Sequence, residues 1–241
     1  MEKILAFDIS APYGHFKVIY ATTSALTYPI PSKTAIYGLV GNIIGLSNKE
    51  NEYLRSFEEG KCKIAIQVLN PISTQRININ WSASPGSISY PTKNPRKPTL
   101  VEHLSNPSYR VYFKHEDDVI YSSLKKHLKT HTSVYTPCMG LAYLLANFEF
   151  TGEYGIEEKP GCELDVHSII PMSKFEGFGE EIERDNFVTS MSQYAVEMTP
   201  TRDVTKREEV LFDRKGLPIR AKVKSCHTLK EADKETNIIL F

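Results

Sequence analysis

Ala35, Ile36, Leu39, Val40, Ile43 and Ile44 recur at spacings of three and four, which marks a helix with one buried stripe. Ser32 in front of it is a good N-cap, and Gly45 behind it is a good stop. Such a stripe must be covered by a sheet or another helix, and the chain supplies both. Lys3 to Ser10 is a short apolar strand ahead of the helix. Lys61 to Leu69 alternates behind it, with Cys62, Ile64, Ile66 and Val68 on one face. Ile120, Leu124 and Leu128 repeat every four residues in a second amphipathic helix, Val119 to His131. Its acids (Asp117, Asp118) lead and its bases (Lys125, Lys126, Lys129) trail, as the helix dipole favours.

Further strands are expected at Gln75–Trp81, at Ser108–Lys114 and after the Tyr135–Leu141 turn, where an apolar run leads to Phe150. The order strand, helix, strands, helix, strand is read as βαββαβ, the ferredoxin-like or RRM-like arrangement of an α+β protein. Residues 1–151 are expected to form that domain and residues 152–241 a smaller β-rich region. Within the latter, 207–224 reads as a hairpin turning at Asp213–Gly216.

Charge narrows the function. The 241-residue chain has 29 basic and 29 acidic residues, so it is no polycation. The charges are uneven, however. Residues 74–131 hold nine Lys/Arg against four Asp/Glu, and residues 152–185 hold three against ten. A basic middle suits a polyanion on one face only. Cys62, Cys138, Cys162 and Cys226 lie far apart without ligand spacing, so free thiols and no metal or cofactor site are expected. No apolar run is long enough to span a bilayer and no signal peptide is evident, so a cytoplasmic protein without membrane contact is expected.

Three stretches carry candidate binding residues. The start of the first helix, at Ser32, Lys33 and Thr34, could hold a phosphate, although a plain cap explains Ser32 better. Residues 82–106 form a long excursion rich in proline, with Lys93, Arg96 and Lys97. Loops of that length are functional or disordered. On Ser108–Lys114, Arg110, Tyr112 and Lys114 share a face, two cations flanking a ring, as a single-stranded RNA platform requires. An ordinary solvent face has the same pattern. Nucleotide-loop, serine-hydrolase and zincin motifs are absent.

The ending of the first strand at Phe7-Asp8, followed by Tyr13-Gly-His-Phe16, Ser24-Ala-Leu-Thr-Tyr-Pro-Ile-Pro31 and Thr34-Ala-Ile-Tyr-Gly-Leu-Val-Gly41, resembles the CRISPR-associated Cas-five family. The Pro137-Cys-Met-Gly140 turn is similar to that family's Pro-x-x-Gly turn. The resemblance implies a non-catalytic subunit of a type I Cascade surveillance complex, most like the I-B branch, acting in antiviral defence. It would grip the 5′ handle of CRISPR RNA, cap the Cas-seven backbone, meet the large subunit, and reach target DNA through the complex. It also implies a β-hairpin thumb, which residues 82–106 would supply. Expected RNA contacts are Tyr13, His15, Phe16, Ser32, Lys33, Thr34, Arg76, Lys93, Arg96, Lys97, Arg110, Tyr112 and Lys114. The family's type I-C branch cuts repeat RNA without metal using Tyr, Lys and His, so Tyr37, Lys114 and His115 stand as an alternative, catalytic set.

Overall fold

The computed structural model describes residues 2–19, 25–58, 60–82, 96–179, 187–230 and 235–241. The chain opens with β1 (Glu2–Ser10), β2 (Tyr13–Gly14), β3 (Phe16–Lys17) and β4 (Thr27–Tyr28), and then forms α1 (Lys33–Ile44). Ser32 caps α1 by accepting from the Ala35 N–H, and Gly45 ends it at φ 79°. A 3-10 segment (Lys49–Phe57) leads to β5 (Cys62–Val68), β6 (Ser73–Ser82), β7 (Arg96–Ser105) and β8 (Ser108–His115). Then α2 (Asp118–Thr130) starts on the Asp117 cap and ends with His131 at φ 50°. β9 (Asn147–Val166), β10 (Ile170–Pro171), β11 (Phe175–Phe178), β12 (Val188–Met198), β13 (Val204–Asp213), β14 (Ile219–Lys230) and β15 (Glu235–Ile238) complete the order.

One antiparallel sheet runs β11-β14-β9-β1-β8-β5, with β15 also on β14. Leu5, Phe7 and Ile9 of β1 share one face with Ile64, Ile66, Val111 and Phe113, and this face packs on the stripes of α1 and α2. The opposite face is buried too. Ile4, Ala6, Ala65 and Tyr112 pack with Ile156, Leu229, Ile238 and Leu240. The C-terminal segment makes this second core possible. After pairing with β14 it reaches the far side of the sheet, where Phe241 and Ile64 exchange backbone hydrogen bonds of 3.2 Å. A three-stranded sheet, β10-β13-β12, covers α1 with Met191, Tyr194 and Val196.

Three expectations are corrected by this architecture. The boundary at residue 151 falls inside β9, which pairs with β1 through Asn147–Ile156 and with β14 through Ile156–Val166. A single strand shared in this way gives no break in the sheet. The hairpin expected over 207–224 does not form. β13 pairs with β10 and β12, whereas β14 pairs with β9, β11 and β15. Its turn is held instead by Asp213 Oδ1, which accepts from the Lys215 and Leu217 N–H groups. Gly216, at φ 82°, lies so close to the Val68 carbonyl that a side chain has no room. Finally, the excursion 82–106 is not all loop: Arg96–Ser105 is β7, paired with β6 from Ser73↔Ser105 to Ser82↔Arg96.

Candidate nucleic-acid interface

The β6–β7 hairpin meets the body of the protein at a buried histidine pair. His15 Nδ1–H donates to the Glu102 carbonyl at 2.7 Å, and the His15 and His103 rings lie 5.9 Å apart. Burial holds the His15 pKa below its usual value, partly offset by the Glu102 hydrogen bond. Three rings around this pair remain open to solvent. Tyr13 is 6.2 Å and Tyr143 6.4 Å from His103, and Trp81 lies 6.0 Å beyond Tyr143, centroid to centroid. Trp81, Tyr143 and Tyr13 are 40%, 47% and 38% exposed. The row therefore runs Tyr13, His103, Tyr143, Trp81, with His103 buried and the other three rings accessible.

The turn at residues 137–140 fixes this corner. The His15 N–H donates to the Met139 carbonyl at 3.0 Å. Gly140 sits at φ 93°, where a Cβ would be 1.9 Å from the His15 oxygen, so only glycine permits the approach. The hairpin also carries cations. Arg76 lies 3.5 Å from Glu102 with a side chain 61% exposed, and Arg96 is exposed at the far end of the hairpin ladder. Lys97 stands opposite Trp81 in the register, while Lys93 lies outside the described residues.

Other expected contacts sit in closed environments. Lys33 is 5% exposed and donates to the Phe241 carbonyl at 2.8 Å beneath the second sheet; burial lowers its pKa. The Tyr194 hydroxyl donates to the Pro31 carbonyl beside it. The start of α1 is thus occupied by protein groups, and Ser32 acts as its cap, with its hydroxyl 2.9 Å from that of Thr34. Phe16, at 8% exposure, belongs to the core. Ser32 and Thr34 still line the wall of a cavity of about 270 Å³ whose rim carries Lys17 and Arg207.

The face expected to be a platform on β8 is also closed. Arg110 grips Asp8 through two hydrogen bonds of 2.7 and 3.0 Å, and the two are direct cross-strand neighbours. Tyr112 is 1% exposed, with its hydroxyl donating to Gln67 Oε1. Lys114 contacts Glu2 at 2.6 Å. This corrects the reading of Tyr112 as a stacking ring: β14, β15 and the residues after them cover it.

The alternative catalytic trio does not converge. Tyr37 is buried in a stack with Phe57 at 4.6 Å, and burial raises its pKa. His115 packs on that same Phe57, accepting from the Asp117 N–H at Nδ1 and donating from Nε2 to the Ser56 carbonyl. Both ring nitrogens are thereby committed. Lys114 projects from the opposite face of β8, as the alternation of a strand requires. Among the described residues, no cluster of three or more His, Cys, Asp or Glu could hold a metal ion, and no helix is long and apolar enough to cross a membrane.

A family model described as CRISPR-associated protein (Cas_Cas5) matches residues 4–132, more than half of the chain. The chain belongs to the CRISPR-associated Cas-five family. Its fold is similar to that of a CRISPR protein from Archaeoglobus fulgidus, with a TM-score of 0.55 and 11% identity over 98% of this chain and 99% of that one. A chain of a CRISPR RNA-guided surveillance complex aligns with a TM-score of 0.49 and 12% identity over 91% of each chain. No curated protein sequence matches. The part of this Cas-five protein matched by the family model contains Tyr13, Trp81 and His103, and Tyr143 lies beyond it. Sequence reasoning missed Trp81, His103 and Tyr143 as one site. Alternation does put Trp81 beside Ile77 and Ile79, but only pairing across the hairpin and the 137–146 turn brings the three rings together.

Proposed function

We propose that this Cas-five protein is a non-catalytic subunit of a type I CRISPR surveillance complex that binds the 5′ handle of CRISPR RNA. In this reading it caps a Cas-seven backbone, adjoins the large subunit, and meets target DNA only through the complex. The carrying observation is the open ring row Tyr13, Tyr143, Trp81 on one face of the hairpin, with the exposed Arg76 on the other. Unstacked bases need rings and phosphates need cations, and single-stranded RNA offers both partners together. The strand order β9-β1-β8-β5, with two helices on one face, supports a ferredoxin-like βαββαβ unit. The β6–β7 hairpin is then an insertion between its second and third strands and serves as the thumb. Tyr13, Trp81 and Tyr143 are the contacts to which this geometry gives most support, with Arg76, Arg96 and Lys97 as cations of the hairpin strands and Lys93 in the sequence between them.

The test is binding of a labelled RNA carrying the cognate 5′ handle, compared with a scrambled handle, in EDTA. The Trp81→Ala, Tyr143→Ala double variant should lose about 1–3 kcal/mol per base contact while keeping its melting temperature. Unchanged affinity in that variant would remove the hairpin from the RNA site.

A further inference from the structure

We propose that the outer edge of β6 pairs with the same strand of a second copy of this chain, joining two hairpins into one four-stranded antiparallel sheet. The inference is independent of the RNA reading. An exposed strand edge presents unpaired N–H and C=O groups, and proteins normally blunt such edges with charge, proline, bulges, shortness or a covering segment.

Most edges here are blunted in those ways. The outer edge of β5 is covered, since Phe241 pairs with Ile64 and the Ile169 N–H donates to the Ile66 carbonyl. β12 carries register shifts and Gln193 at φ 60°. β10, β11 and β15 are two, four and four residues long. β6 has little of this protection. It is ten residues long, has no proline, carries the single charge Arg76, and pairs with β7 in unbroken register. It ends its sheet order, β2-β7-β6, so among the described residues no strand lies on its outer side. Asn78, Asn80 and Trp81 are exposed.

The side chains favour self-pairing in one register. A two-fold axis through Asn78 sets each Ile77 against the partner's Ile79 and each Gln75 against the partner's Trp81. It also uses the strand from Thr74 to Ser82. Ile77 and Ile79 then meet on one face, with Gln75 against Trp81 at its ends, and polar residues meet on the other. Arg76 falls opposite the partner's Asn80 rather than the partner's Arg76, so the only charge on the strand meets no like charge. Such an interface is isologous and closes as a dimer.

The register gives the test its sign. Sedimentation equilibrium of the full chain over three decades of concentration should show a monomer–dimer equilibrium. Asn80→Glu places a carboxylate opposite the partner's Arg76 twice per dimer and should tighten association roughly 2- to 10-fold at low salt. Asn80→Lys should loosen it by a similar factor. The chain has no formal net charge, so both variants change it by one unit and general repulsion treats them alike. Opposite responses that fade at high salt support the proposal. A wild-type chain that stays monomeric throughout overturns it, as does a dimer that both variants shift in the same direction or leave unchanged. Equal melting temperatures for the three proteins exclude misfolding as the cause.

Discussion

Two surfaces of this molecule combine aromatic rings and cations on paired strands, and only one of them is open. On β8, Arg110 and Lys114 are paired with Asp8 and Glu2, and Tyr112 lies beneath Leu229, Ile238 and Leu240. On the β6–β7 hairpin, Tyr13, Tyr143 and Trp81 remain accessible on one face and Arg76 on the other. The difference comes from strands far away in sequence. β14, β15 and the residues up to Phe241 complete a second core over β8, whereas the described elements that meet the hairpin leave Tyr13, Tyr143 and Trp81 exposed. An amphipathic strand therefore states what a face can bind, and long-range pairing states whether that face is available.

Substitution should separate the two surfaces. The largest effect is expected for Tyr112→Ala. Removing a ring that is 1% exposed should cost about 3–5 kcal/mol of stability in a denaturant titration, with RNA affinity unchanged for the protein that remains folded. A stable variant with weakened RNA binding would reverse the assignment of the two faces. Next is Gly140→Ala. The left-handed backbone and the close His15 oxygen leave no space for a methyl group. A loss of about 2–3 kcal/mol is expected, together with weaker RNA binding as the Tyr13–Phe16 segment loses its support. Binding that survives with unchanged stability would show that the segment is held by β7 alone.

The histidines sharpen the comparison by pH. Burial lowers the pKa of His15 under the hairpin, and burial also lowers that of His227 at the rim of the closed face. Glu102, His103 and Lys17 surround the first; Glu158, Lys63, Lys114 and Glu2 surround the second. A depressed histidine pKa means that the unfolded chain takes up protons first. Stability should accordingly be level above the ordinary value of 6.5 and fall as pH drops below it. Melting curves should show His15→Gln with a shallower fall; an unaltered slope would assign the effect to His227. The smallest effect is expected for Arg76→Gln. Its side chain is exposed and its ion pair adds little stability. Its loss should lower the slope of log affinity against log salt by about 1 and leave the melting temperature in place.

Much of the fold was legible in the residues. The stripes of α1 and α2, the Ser32 and Asp117 caps, and the strands β1, β5, β6 and β8 follow from local pattern, because helix and strand each repeat their faces at a fixed period along the sequence. The length of β9 was not legible, nor was the parting of β13 from β14, since these depend on which strands lie alongside. Among the site residues, the periodicity of β6 put Trp81 on a named face, yet Tyr143 sits in an apolar run that reads as core.

The sequence alone marked the two helices with their caps and the strands β1, β5, β6 and β8. Tertiary structure decided which aromatic face stays open. Each strand has two faces of fixed chemistry, and burial of either is settled by strands that arrive from more than a hundred residues away.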